Sequence, residues 1–92
     1  MSNALTTPHL ADACVRLGIE LRATSIRPAF GAPALSGPAV PVQHLGSVDA
    51  MLAALETCGP GAVLVIDDAG RTDRACVGDL LAIEAHHAGV AG

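Results

Sequence analysis

The sequence predicts an α/β domain, and three observations carry that expectation. Val63-Leu64-Val65-Ile66 runs without a polar interruption, which suits a strand covered on both faces in a parallel sheet. Segments with apolar residues at helical spacing lie on either side of that run. Prolines and glycines fall mainly between these segments and not inside them. At 92 residues there is room for one small domain, and a chain of that size buries only about 60–65% of the surface it exposes when unfolded.

The first element is a helix from Pro8 to Leu17. Thr7 is suited to cap it, Pro8 to its first position and Gly18 to its end. Leu10, Ala13, Cys14 and Leu17 share one face, while Asp12 and Arg16 form an i,i+4 pair on another. From Arg22 to Gly37 the recurrence of Pro28, Gly31, Pro33 and Gly37 marks extended connection and turn. Ala39 to His44 reads as a strand, with Pro41 pointing to an edge or a bulge because it has no N–H to donate. Gly46-Ser47 opens a second helix. Ser47 is the expected cap, Asp49 sits in the first turn, and Val48, Met51, Leu52 and Leu55 form the apolar stripe. Cys58-Gly59-Pro60-Gly61 stops it before the buried strand, Ala62 to Ile66. A polar loop from Ala69 to Arg74 leads to a third helix, Val77 to Ala88, ended by Gly89. Val90-Ala91-Gly92 reads as the approach to another strand. A strand–loop–helix unit needs a following parallel strand, so the chain is expected to be incomplete at its C-terminus.

Composition excludes several classes. Hydrophobic residues make up 51%, which is too apolar for disorder, and eighteen alanines supply much of that total. No uninterrupted apolar run approaches the roughly 18 residues of a membrane span. Five arginines against nine acidic residues give a net charge of −4, a poor balance for nucleic acid or an anionic membrane. Residues 1–8 lack the charged region and apolar core of a signal peptide. Cys14, Cys58 and Cys76 are odd in number and lack C-x-x-C spacing. They are expected to be free thiols in a reducing cytoplasm.

Ligands of open α/β sheets bind beyond the carboxyl ends of the strands, beside helix N-termini. The stretch from Asp67 to Leu81 has that layout. Backbone N–H groups of the turn opened by Gly78-Asp79-Leu80-Leu81 can hold a carboxylate or phosphate, and Gly78 would admit the ligand closely. Equally, Gly78 can be a packing glycine and Asp79 a complement to the helix dipole. Asp67 and Asp68 offer oxygen ligands to a divalent cation, or simply end a buried strand. His86 and His87 are adjacent and so point about 100° apart on a helix, a poor metal clamp and an ordinary surface pair. His44, Ser47 and Asp49 gather at a strand-to-helix turn where a pocket wall can form, although capping accounts for Ser47 and Asp49. No histidine placement supports any cysteine as a nucleophile, and P-loop, G-x-G-x-x-G, G-x-S-x-G and H-E-x-x-H motifs are missing.

Taken together, Gly59-Pro60-Gly61-Ala62-Val63-Leu64-Val65-Ile66-Asp67, Ala75-Cys76-Val77-Gly78-Asp79-Leu80-Leu81 and Ala88-Gly89-Val90-Ala91-Gly92 resemble the RraA-like family. Leu10-Ala11-Asp12-Ala13, Gly37-Pro38-Ala39-Val40 and Gly46-Ser47-Val48-Asp49 fit as well. That family includes divalent-metal-dependent 4-hydroxy-4-methyl-2-oxoglutarate/4-carboxy-4-hydroxy-2-oxoadipate aldolases and the regulator of ribonuclease E activity. The resemblance covers nearly all of this chain but about the first half of a family member. It implies a swivelling β/β/α domain, of which residues 1–92 are the N-terminal part, truncated after the third helix, and a homotrimer when full length. It also implies a lyase that cleaves 2-oxo diacids to pyruvate, with oxaloacetate decarboxylation as a side activity and Mg²⁺ or Mn²⁺ as cofactor.

By the same resemblance, Gly78, Asp79, Leu80 and Leu81 are substrate-binding residues whose backbone amides cradle the pyruvyl carboxylate. The family's Arg-Asp pair, which steadies the enolate and carries the metal, comes about twenty residues after Asp79 and so beyond Gly92. No catalytic or metal-binding residue is therefore expected within residues 1–92, and the chain alone is expected to be inactive and metal-free. Pro41 departs from the ladder residue usual in the family. A non-catalytic regulator that binds an enzyme such as ribonuclease E, and a non-functional fragment, are the alternatives to the lyase.

Overall fold

The computed structural model describes residues 5–22, 24–29, 31, 34–44 and 46–92. Phe30 (the chain's one aromatic residue) and Pro33 lie outside them. The chain divides into two compact units, Met1–Ala32 and Pro33–Gly92.

The first unit holds α1, Thr7–Leu17. Its cap is Thr6, one residue earlier than expected. Thr6 Oγ1 accepts from the His9 backbone N–H at 3.4 Å, and His9 Nδ1 accepts from the Thr6 backbone N–H at 3.3 Å. This is a reciprocal capping box in which histidine takes the usual place of Glu or Gln. Pro8 still falls in the first turn, where its missing N–H costs nothing. Gly18 ends the helix at φ 67°, and Ile19 N–H donates to the Cys14 carbonyl at 2.9 Å. Asp12 and Arg16 pair at 3.3 Å as expected, but both are exposed, so the pair contributes at most about 1 kcal/mol. No residue of α1 is buried.

The second unit is built on a two-stranded parallel sheet. Strand β1, Ala39–Gln43, pairs with β2, Val63–Asp67, in a register running from Ala39 opposite Val63 to Gln43 opposite Asp67. His44 follows β1 but prolongs the ladder, donating its N–H to the Asp67 carbonyl at 2.8 Å. The same alternation turns the position of Pro41 away from β2, onto the outer edge where a missing donor is harmless. Between the strands lies α2, Asp49–Thr57, and after β2 comes α3, Asp79–His87. Ser47 is not the cap of α2. Val48 holds that position, and Ser47 Oγ accepts from the Asp49 N–H at 3.1 Å one step further out. The third helix is two residues shorter at its start than expected, with Gly78 extended at its cap.

Side-chain alternation puts Val40, Val42, Leu64 and Ile66 on one sheet face. There they pack with Met51 of α2 and Leu81 of α3, and Met51 is fully buried. The expectation that β2 is covered on both faces is corrected here. Val65 points to the other face and is 46% exposed, because α2 and α3 both cover the face bearing Leu64 and Ile66. Gly37 lies so close to the Gly61 turn that a Cβ would overlap the Gly61 carbonyl oxygen. Beyond α3, Ala91 N–H donates to the Ala62 carbonyl at 2.7 Å and Leu64 N–H to the Gly92 carbonyl at 2.9 Å. The last residues thus lie along the edge of β2 that faces away from β1, as the expected approach to a strand would. No helix among the described residues is long and apolar enough to cross a membrane.

Candidate functional site

Parallel pairing brings the carboxyl ends of β1 and β2 side by side, and the residues that leave them form the site. His44 is 5% exposed, and its Nδ1 lies 2.7 Å from Asp68 Oδ1. Arg71 folds back over the pair. Its Nε donates to the Asp68 carbonyl at 3.1 Å, and its Nη2 donates to Asp68 Oδ1 at 3.0 Å and to the His44 carbonyl. The loop between them is set by Asp67, whose Oδ1 accepts from the Ala69 N–H at 2.8 Å. Ala69 itself sits at φ 57°, a left-handed conformation that a residue with a Cβ adopts at a cost of about 1–2 kcal/mol. The hydrogen bond from His44 is the largest influence and holds the Asp68 carboxyl below its ordinary value; burial opposes it, and the positive charge of Arg71 adds to the lowering. Gln43, His44, Asp67, Ala69 and Arg71 line a cavity of about 250 Å³ at this end of the sheet.

The four residues expected to bind substrate open α3 nearby. Leu81 is in the core with Val42, two residues before His44, so the start of α3 lies at the same end of the sheet as the cavity. Gly78 is extended, and nothing stands within 4 Å of the place a Cβ would take, so an approaching ligand meets open backbone. No side chain caps the helix from the Gly78 position. Asp79 Oδ1 accepts from the Leu80 N–H at 2.9 Å, while Leu80 projects outward at 75% exposure. None of the four lines the cavity.

The other candidates disperse. Of His44, Ser47 and Asp49, His44 alone reaches the cavity. Asp67 and Asp68 point into separate hydrogen bonds, and no group of three or more His, Cys, Asp or Glu side chains among the described residues could hold a metal ion. His86 and His87 are exposed at the end of α3 with ring centroids 6.2 Å apart. Cys14, Cys58 and Cys76 are free and half-buried. Arg71 is the member of the site that sequence reasoning missed. The signal available for it was the parallel pairing itself, which sets the loops after β1 and β2 against one another.

A family model described as RraA-like, Aldolase/RraA, matches residues 7–92. No curated protein and no solved structure matches the chain.

Proposed function

The chain belongs to the RraA-like family, and from that premise we propose that residues 1–92 bind the carboxylate end of a 2-oxo acid in a pyruvate-releasing lyase. The match across residues 7–92 is the observation that carries this reading. The open backbone at Gly78, which brings no side-chain cap, supports it, because helix-start N–H groups favour an anion and Asp79 already holds that of Leu80 with its carboxylate. Asp79 is the residue that must yield. Its carboxylate holds the Leu80 N–H, so carboxylate binding would exchange one anionic acceptor for another and turn Asp79 outward.

The substrates are 4-hydroxy-4-methyl-2-oxoglutarate-like 2-oxo diacids, cleaved by a retro-aldol reaction, with oxaloacetate decarboxylation as a side activity. A divalent cation such as Mg²⁺ or Mn²⁺, when bound, supplies Lewis-acid polarisation of the 2-oxo group. The described residues do not fit that cation. Asp68 is bound by His44 and Arg71, Asp67 holds its own loop, and no third ligand stands with them. What these residues contribute is therefore binding, through backbone donors and the dipole of α3. The reading extends to homotrimeric assembly and a cytoplasmic setting, both carried by family resemblance alone.

Two or three charge-assisted hydrogen bonds at an exposed helix start, less the cost of association, amount to about 4 kcal/mol, or a Kd on the order of 1 mM. Titrating the ¹⁵N-labelled chain with pyruvate tests this. The expected result is saturable amide shifts centred on Asp79, Leu80 and Leu81. Shifts confined to other segments, or none at about ten times that concentration, would overturn the reading.

A further inference from the structure

The cavity at the carboxyl ends of β1 and β2 contains a histidine arranged for more than packing. Asp68 is ionised and so can only accept hydrogen bonds, and it accepts from both His44 and Arg71. A neutral His44 must then carry its proton on Nδ1, leaving Nε2 unprotonated and, among the described residues, without a hydrogen-bond partner. His44 is almost wholly enclosed yet forms part of the cavity wall, beside Gln43, Asp67 and Arg71. A carboxylate that fixes the tautomer of an imidazole in the wall of a ligand-sized space is the arrangement of an oriented general base.

We propose that His44, held by Asp68 and Arg71, accepts the hydroxyl proton of a 4-hydroxy-2-oxo diacid bound between this cavity and the start of α3. The inference rests on the function proposed above and deepens it by giving the hydroxyl end of the substrate its own residue. In the cleavage, the 4-hydroxyl proton passes to His44 Nε2 as the C3–C4 bond breaks. The C4 oxygen becomes a carbonyl, and the bond's electron pair moves through C3 and C2 to the 2-oxo oxygen, giving the enolate of pyruvate. The proton on Nε2 is then available to return to C3, so the histidine ends as it began. A cavity of about 250 Å³ has room for the hydroxylated end of such a diacid, and the carboxylate at the other end remains with the α3 amides. Asp68 and Arg71 are positioning residues in this scheme. Asp68 sets the tautomer, and Arg71 ties that carboxylate to the backbone that follows β1.

Long-range ¹H–¹⁵N spectra of the histidine side chains test the proposal on the 92-residue chain, with His9, His86 and His87 as internal controls. The expected state of His44 is the Nδ1–H tautomer with Nε2 unprotonated. Pyruvate is expected to shift the α3 amides and leave Nε2 of His44 unmoved. With 4-hydroxy-4-methyl-2-oxoglutarate, both the amides and His44 Nε2 are expected to move. Amide shifts without any change at His44 would overturn this inference and leave the carboxylate reading standing. A His44 response without amide shifts would overturn the carboxylate reading instead. An Nε2–H tautomer in the free protein would overturn the proton-accepting role outright. In Asp68→Asn, whose amide can donate to Nδ1, the tautomer is expected to reverse. The Kd for the hydroxy diacid is expected to rise about tenfold more than that for pyruvate. An equal change for the two ligands would mark Asp68 as merely structural.

Discussion

Asp68 shows how one side chain can join strand ends that are distant in sequence. Its carboxylate receives the His44 ring and the Arg71 guanidinium, while the His44 N–H donates to one backbone carbonyl and the guanidinium to two. Because the folded carboxyl titrates below its ordinary value of 3.8, Asp68 adds stability above that pH. The contribution is lost as pH falls below 3.8 and through the folded value, where His44 and Arg71 lose their anionic partner. Urea midpoints measured between about pH 5 and pH 2 are expected to fall more steeply for the native chain than for Asp68→Asn. Parallel slopes would show that the pairing does not couple to folding. Ala69, in the wall of the same cavity, adds backbone strain at φ 57° that the Asp67 side chain helps to hold.

At the scale of elements, the second unit depends on a small core. Among the described residues Met51 of α2 is the one side chain with no exposure, and it joins Val42 of β1 to Leu81 of α3. Met51→Ala is expected to cost about 2–5 kcal/mol, a large share of the whole stability of so short a chain. Loss of the cooperative thermal transition by circular dichroism is the expected sign, and a melt within a few degrees of the native one would contradict it. The order of these elements was legible because each carries a local signal: the Val63–Ile66 run, the Met51 stripe, and glycines at 18 and 89. Cap positions were less so. Thr6 and Thr7 have the same side chain, and only the reach of His9 back to Thr6 distinguishes them. The start of α3 was legible to within two residues because Gly78 precedes the helix directly. The meeting of His44, Asp68 and Arg71 was not. It depends on strand register, which joins residues 24 and 27 positions apart and leaves no periodic trace.

Over the whole chain, apolar surface is abundant and shallowly buried. Leu80, Ile83, Val65 and Val48 in the second unit are each at least 46% exposed, and Leu10 and Leu17 in the first unit are exposed as well. Alanine explains much of this, since a composition 51% hydrophobic yields a core of few large side chains when eighteen residues are alanine. That thin scaffold places the start of α3 and a strand-end cavity at one end of the sheet. On the proposed function, residues 1–92 bind a 2-oxo diacid, and the family resemblance implies an Arg-Asp pair outside these residues for bond cleavage. Pyruvate release from 4-hydroxy-4-methyl-2-oxoglutarate by the purified 92-residue chain, with Mg²⁺ or Mn²⁺ supplied, tests this most directly. The predicted result is binding without turnover, and sustained metal-dependent release of pyruvate would contradict it.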